Sequence, residues 1–170
     1  MELVNFIQAA IDRVSQANTR VINGLSQEEV AWQPNPEANS IGLILLHATR
    51  SEDIFVQNRI RGKPQVWETG KWCEKMHLAP SETVSGYTAE QLAAFKVPDI
   101  SVITAYSDAV RAETKDYLKN LTLGEFDKTV NAGRMGEVSI GTLFTIIIVH
   151  GAQHAGELSY IRGLKRGMNK

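Results

Sequence analysis

Phe144-Thr-Ile-Ile-Ile-Val149-His150-Gly-Ala-Gln-His154-Ala-Gly-Glu157 is the stretch that decides the fold: an apolar run that passes straight into two imidazoles four residues apart. On a helix, positions i and i+4 stand one above the other, so both rings point the same way. Read outward, Leu143, Ile147, His150, His154 and Ile161 fall on one stripe of a helix that starts after Ser139 and ends near Lys165, before Gly167. Both histidines therefore face the core.

Three more long helices can be read at the same period. The first runs from about Glu2 to Asn23, with Leu3, Ile7, Ala10, Val14 and Val21 on one face and Gly24 in the place of a C-terminal cap. Ser26-Gln-Glu-Glu29 reads as a capping box on a short helix ended by Pro34 and Pro36. The second long helix starts after Ser40 and runs to about Arg61, and its inner stripe of Ile44, His47, Ala48, Ser51 and Phe55 holds a third histidine. Arg50, Glu52 and Asp53 are expected on its solvated side. The third runs from about Ile100 to Leu121, with Ile103, Tyr106, Val110 and Tyr117 on one face.

Between the second and third helices lies a connector, Gly62 to Asp99, with three of the five prolines and with Trp67, Trp72, Tyr87 and Phe95. Its aromatic content argues against a disordered tether, so it is expected to pack over the bundle as a cover, with a short helix from Thr88 to Phe95 capped by Thr88. Gly124 to Glu137 reads as loop, opened at most by one helical turn. The chain is thus expected to be all-α, a single domain over residues 1–170 built as a four-helix bundle. The long connector lets helices two and three run parallel, a crossover topology in place of up-down-up-down. Ser40-Ile-Gly and Ser139-Ile-Gly open two helices alike, too short a match to mark a repeat.

Charge excludes some functions. With 18 basic and 19 acidic side chains and a formal charge of −1, the chain lacks the positive footprint that binds a phosphate backbone, so no nucleic-acid partner is expected. No run approaches the ~20 apolar residues of a membrane span, and Met1-Glu-Leu-Val-Asn-Phe has no basic region before a long apolar stretch. The expectation is a cytoplasmic protein without a membrane partner. Cys73 is the only cysteine, which excludes an intrachain disulfide.

A single core histidine is usually a packed residue with one hydrogen bond. Three on inward stripes, two at ligand spacing and one on another helix, point instead to a divalent metal held by His47, His150 and His154 with a position left for water or substrate. Imidazoles suit zinc and nickel best among the expected ions, and copper and ferrous iron also accept them. With no carboxylate in the set the ion keeps its full charge and would lower the pKa of a bound thiol or water. A metalloprotease of the His-Glu-x-x-His type is disfavoured because Gly151 stands where the general base belongs. Glu157, three residues after His154, can accept the distal ring N–H, join as a fourth ligand, act as a base, or remain an exposed charge. Gln153 is a second acceptor candidate. Ser51 shares the His47 face, and Arg50 is a candidate for a substrate carboxylate. Cys73 and His77 have i,i+4 spacing but too few companions for a zinc centre; with Trp72 they are candidate substrate-pocket residues in the connector.

The same segments carry a resemblance. Trp32-Gln-Pro-Asn-Pro with Asn39-Ser-Ile-Gly-Leu-Ile-Leu-Leu-His47-Ala-Thr-Arg-Ser-Glu-Asp53, and His150-Gly-Ala-Gln-His154-Ala-Gly-Glu157-Leu-Ser-Tyr-Ile-Arg-Gly163, resemble the second and closing helices of the DinB-like superfamily, which includes mycothiol-dependent maleylpyruvate isomerases and bacillithiol transferases. The connector, from Lys71-Trp-Cys-Glu-Lys-Met-His to Phe95, is similar to a subgroup common in actinobacteria and related bacteria. The resemblance implies a crossover four-helix bundle, a metal on His47, His150 and His154, a homodimer, and a low-molecular-weight thiol cosubstrate transferred to an electrophile. The function expected is a thiol S-transferase of stress or detoxification chemistry. A metal-activated hydrolase with Glu157 as base, or a non-catalytic metal- or small-ligand-binding protein, are the alternatives.

Overall fold

Four long amphipathic helices build the core, as their apolar stripes require. The computed structural model describes residues 2–167. Helix α1 spans Leu3–Ile22 and α2 spans Gln27–Ala31, the latter opened by the Ser26/Glu29 capping box with both of its reciprocal hydrogen bonds. Helix α3, Ile41–Asp53, continues without a break into a π-helical segment, Ile54–Ile60. The connector holds three short helices, α4 (Val66–Thr69), α5 (Trp72–Met76) and α6 (Ala89–Ala94), the last capped by Thr88. Helices α7 (Ile100–Lys119) and α8 (Ile140–Arg166) complete the bundle. No helix among the described residues is long and apolar enough to cross a membrane.

Helix α8 packs on α1 and α3, and α7 packs on α3 and α1, so α1 and α3 sit on opposite corners. Directions follow from the cross-contacts. Asp12 pairs with Lys115, which runs α1 against α7, whereas Arg162 reaches the carbonyl of Val21 at the far end of α1 and sets α8 parallel to it. His47 meets His150, and the apolar group of Val56 with Phe144 lies further along, so α3 and α8 are antiparallel. The order is up, down, down, up: the crossover topology that the long connector allows. Arg166 fastens the end of α8 to the α1–α2 turn through Glu29 Oε2 (2.5 Å) and the Gly24 carbonyl (2.6 Å).

Two sequence expectations are corrected. Gly124–Glu137 is not plain loop: after a 3-10 turn, Leu123–Glu125, strands β1 (Thr129–Asn131) and β2 (Glu137–Ser139) pair antiparallel in a hairpin that delivers Ser139 as the cap of α8. Strands of three residues with a half-exposed burial pattern leave too short an alternation to read.

Arg50, Glu52 and Asp53 are not solvated but buried, at 3%, 6% and 0% exposure. Helix α3 is covered on this side by the connector and α7, so its polar groups must be satisfied inside. Asp53 accepts from the backbone N–H groups of Val66 (2.9 Å) and Trp67 (2.8 Å) and from the Tyr106 hydroxyl (2.7 Å). Arg50 donates to Gln65 Oε1 (2.8 Å) and to the Glu82 carbonyl, and lies over the Trp67 ring at 4.4 Å. Glu52 holds Thr114 (2.7 Å) and Arg111 (2.9 Å). Burial and the neighbouring Asp53 charge push the Tyr106 hydroxyl pKa up, so it stays a donor.

The connector is therefore fixed to α3 by a buried polar network as well as by Trp67, which is 1% exposed. Replacing Asp53 by Ala is expected to lower unfolding free energy by about 3 to 5 kcal/mol, because it removes the counter-ion 3.7 Å from the buried Arg50 guanidinium and leaves two backbone N–H groups and the Tyr106 hydroxyl without their acceptor. Urea denaturation measures this; a loss below about 1 kcal/mol, no larger than a typical surface change, would show that the network does not hold the connector.

Candidate metal centre

Helical geometry delivers the three imidazoles to one point. His150 and His154 stand one turn apart on α8, and His47 comes from the second turn of α3 on the neighbouring corner. Their ligand nitrogens lie within 4.8 Å of one another. His150 Nε2 is 3.3 Å from His47 Nε2 and 2.9 Å from His154 Nε2. Two nitrogens bound to one zinc at ~2.0–2.1 Å in a tetrahedral arrangement stand about 3.3 Å apart. The spacing therefore suits a shared cation.

Tautomers follow from what the other ring nitrogens touch. His47 Nδ1 lies 2.9 Å from the carbonyl of Val84, which can only accept, so Nδ1 carries the proton and Nε2 presents its lone pair. His154 Nδ1 lies 2.7 Å from Glu157 Oε2, with the same consequence. Both Nε2 lone pairs thus point at His150 Nε2. A proton there satisfies one of them, whereas a cation satisfies all three nitrogens at once. His150 Nδ1 makes no hydrogen bond with a described residue, which leaves that ring free to take the ligand tautomer.

Two of the rings, His47 and His150, are biased toward the neutral form that a ligand needs. Burial pushes the His47 pKa below its ordinary value, against the pull of the Val84 hydrogen bond. Burial, then the positive charge that His154 and His47 would carry, pushes His150 down to about 4. A cleft of about 390 Å³ opens beside His47 and His154, with Glu37, Asn39, Ser85 and Tyr87 among its walls.

The other candidates fall in different places. Glu157 is at the site, its side chain half exposed, as the acceptor for His154. Ser51 borders a small internal space behind His150, between α1, α3 and α8. Arg50 is fully engaged in the connector network and does not border the cleft. Trp72 packs on Tyr106 with Lys75 4.0 Å above its ring, Cys73 is buried in the connector core, and His77 is exposed in a left-handed conformation. The part of the connector that does reach the site is Val84–Tyr87, which sequence reasoning passed over. A backbone carbonyl leaves no side-chain signal, and Thr83-Val84-Ser85 has no metal-site pattern.

A family model described as the DinB superfamily matches residues 10–158, and the chain belongs to that superfamily. A solved structure described as a conserved protein from Enterococcus faecalis has a TM-score of 0.85 at 22% identity, covering 96% of this chain and 97% of that one; it shows a shared fold. No curated protein matches.

A depressed imidazole pKa has a defined sign. Between about pH 4 and the ordinary value of 6.5, the unfolded chain protonates His150 while the folded metal-free chain resists, so stability is full above that window and falls as pH drops through it. Thermal unfolding of metal-free protein from pH 7.5 to 4.5 is expected to show a steeper fall for wild type than for His150→Gln. Equal slopes would contradict the burial of a neutral ring.

Proposed function

We propose that this chain is a metal-dependent enzyme that transfers a low-molecular-weight thiol to an electrophile, in stress or detoxification chemistry. The observation that supports the reading is the convergence of three Nε2 atoms, with no carboxylate among them, at the edge of an open cleft. His47, His150 and His154 would hold a divalent ion, zinc or nickel by the chemistry of three imidazoles. The chemistry such an ion supplies is positive charge that brings a thiol pKa down toward neutrality, making the thiolate the nucleophile at pH 7.

The chain's own groups do the rest. Val84 and Glu157 hold two rings in the ligand tautomer before any ligand arrives, so little reorganisation is left for binding. The wall formed by Glu37, Asn39, Ser85 and Tyr87 places the organic body of the thiol and the electrophile side by side, which supplies proximity. In the transfer, a sulfur–carbon bond forms, the bond from that carbon to its leaving group breaks, and the thiol proton passes to solvent. Glu157 acts here as an orienting acceptor, since its carboxylate is already bonded to His154. The protein is read as cytoplasmic and homodimeric, and the exposed Leu3 and Phe6 on one face of α1 offer apolar surface for self-association.

Metal-replete protein incubated with an activated aryl halide and, in turn, glutathione, bacillithiol, mycothiol and coenzyme A is expected to release halide with at least one thiol. Replacing His154 by Ala should lower that rate at least 100-fold, the order lost when an essential catalytic group is removed. No turnover and no thiol binding across the panel would contradict the transferase. Ester hydrolysis in thiol-free buffer, abolished in the same variant, would favour a hydrolase instead.

A further inference from the structure

The turn at Thr83–Ser85 is built in a way that the packing of a cover does not require. Val84 has φ 54° and is 2% exposed, a buried β-branched residue in the left-handed region, where such side chains are rarely found. Something must hold it there. Its N–H donates to Glu82 Oε1 at 2.7 Å, and its carbonyl accepts from His47 Nδ1 at 2.9 Å. The carbonyl of Glu82 is in turn gripped by Arg50, through Nε at 3.2 Å and Nη2 at 3.1 Å. Arg50 and His47 are three residues apart on α3, so one helix clamps the turn at two points and the Glu82 carboxylate braces the span between them.

We infer that Glu82 is a positioning residue of the metal centre, acting through the backbone of Val84 to fix the tautomer and ring plane of His47. It supplies none of the three ring nitrogens and meets the cleft wall from behind, through the Val84 N–H and beside the Tyr87 hydroxyl, whose pKa burial and then the Glu82 carboxylate raise. Without its carboxylate the buried Val84 N–H loses its acceptor, the left-handed conformation loses its support, and the carbonyl drifts from Nδ1. This inference rests on the metal-centre reading above and adds to it a residue of the connector that sets metal affinity from outside the ligand set.

Zinc titration of wild type, Glu82→Ala and Glu82→Gln tests it. Glu82→Ala is expected to bind zinc roughly 10- to 100-fold more weakly, the usual effect of removing a group that orients a ligand, while the metal-free variant unfolds near the wild-type temperature. Its cobalt(II) visible spectrum should move toward that of His47→Ala. Glu82→Gln keeps an oxygen that can accept from Val84 and is expected to bind within a few-fold of wild type. Equal affinity in Glu82→Ala and wild type, or an equal loss in the two variants, would overturn the inference. Should Glu82→Ala not fold, hydrogen exchange in wild type decides: the Val84 amide is expected to exchange more slowly once zinc is added, and an unchanged rate overturns the proposal. Wild-type protein that takes up no metal would instead overturn the metal-centre reading, and this one with it.

Discussion

Two imidazole lone pairs aimed at a third ring nitrogen are the constraint on which this structure turns. Nδ1–H of His47 is committed to a carbonyl and Nδ1–H of His154 to a carboxylate, so neither ring can turn its Nε2 into a donor without giving up its partner. At separations of 2.9 and 3.3 Å, a proton on His150 Nε2 can answer only one of those lone pairs, and with that nitrogen unprotonated all three repel one another unless a positive centre lies between them. Burial lowers the pKa of His47 and His150, which makes extra protons a poor source of that charge. A shared divalent cation would answer all three nitrogens together.

The bundle is arranged to keep that cluster in place. Helices α3 and α8 are far apart in sequence and antiparallel in space, and their approach depends on small residues at the contacts around them. A Cβ on Gly151 would sit 3.0 Å from Val14 of α1, and a Cβ on Gly42 would meet Val97 at 2.2 Å and Val30 at 2.9 Å. Larger side chains there would push α8 off α1, or lift the end of the connector and α2 off α3. The connector then returns across α3 on the Arg50–Asp53–Tyr106–Trp67 network, which carries the segment near Val84 to the His47 ring. Cover and histidine cluster are one piece of machinery: the loop that walls the cleft also accepts from His47 Nδ1 and so sets that ring's orientation.

Much of this was legible in the sequence, and the limits are instructive. Apolar period gave the four long helices, because each buries one stripe, and Ser26, Ser40, Thr88 and Ser139 mark their helix starts through hydroxyl caps that the structure forms. The His47, His150 and His154 stripes put all three rings inward for the same reason. Arg50, Glu52 and Asp53 were misread because charge in one sequence says nothing of what covers it: a connector that supplies N–H donors and a tyrosine turns a polar face into a buried one. The π-helical segment at Ile54–Ile60 leaves the same apolar pattern as an α-helix over so short a span. Trp72, Cys73 and His77 lie in the part of the connector away from the cleft, and the part that borders it contacts the His47 ring through a main-chain carbonyl, which leaves no mark in the sequence. The hairpin at Thr129–Ser139 was too short to announce itself.

Metal content relative to chain, measured by elemental analysis on protein purified without a metal-affinity step, tests the central claim most directly. One divalent ion per chain in wild type, falling to near zero in His47→Ala while the fold persists by circular dichroism, is the result this account predicts. Wild-type protein that stays metal-free after incubation with zinc and nickel, or a His47→Ala variant that holds its ion as tightly as wild type, would contradict it.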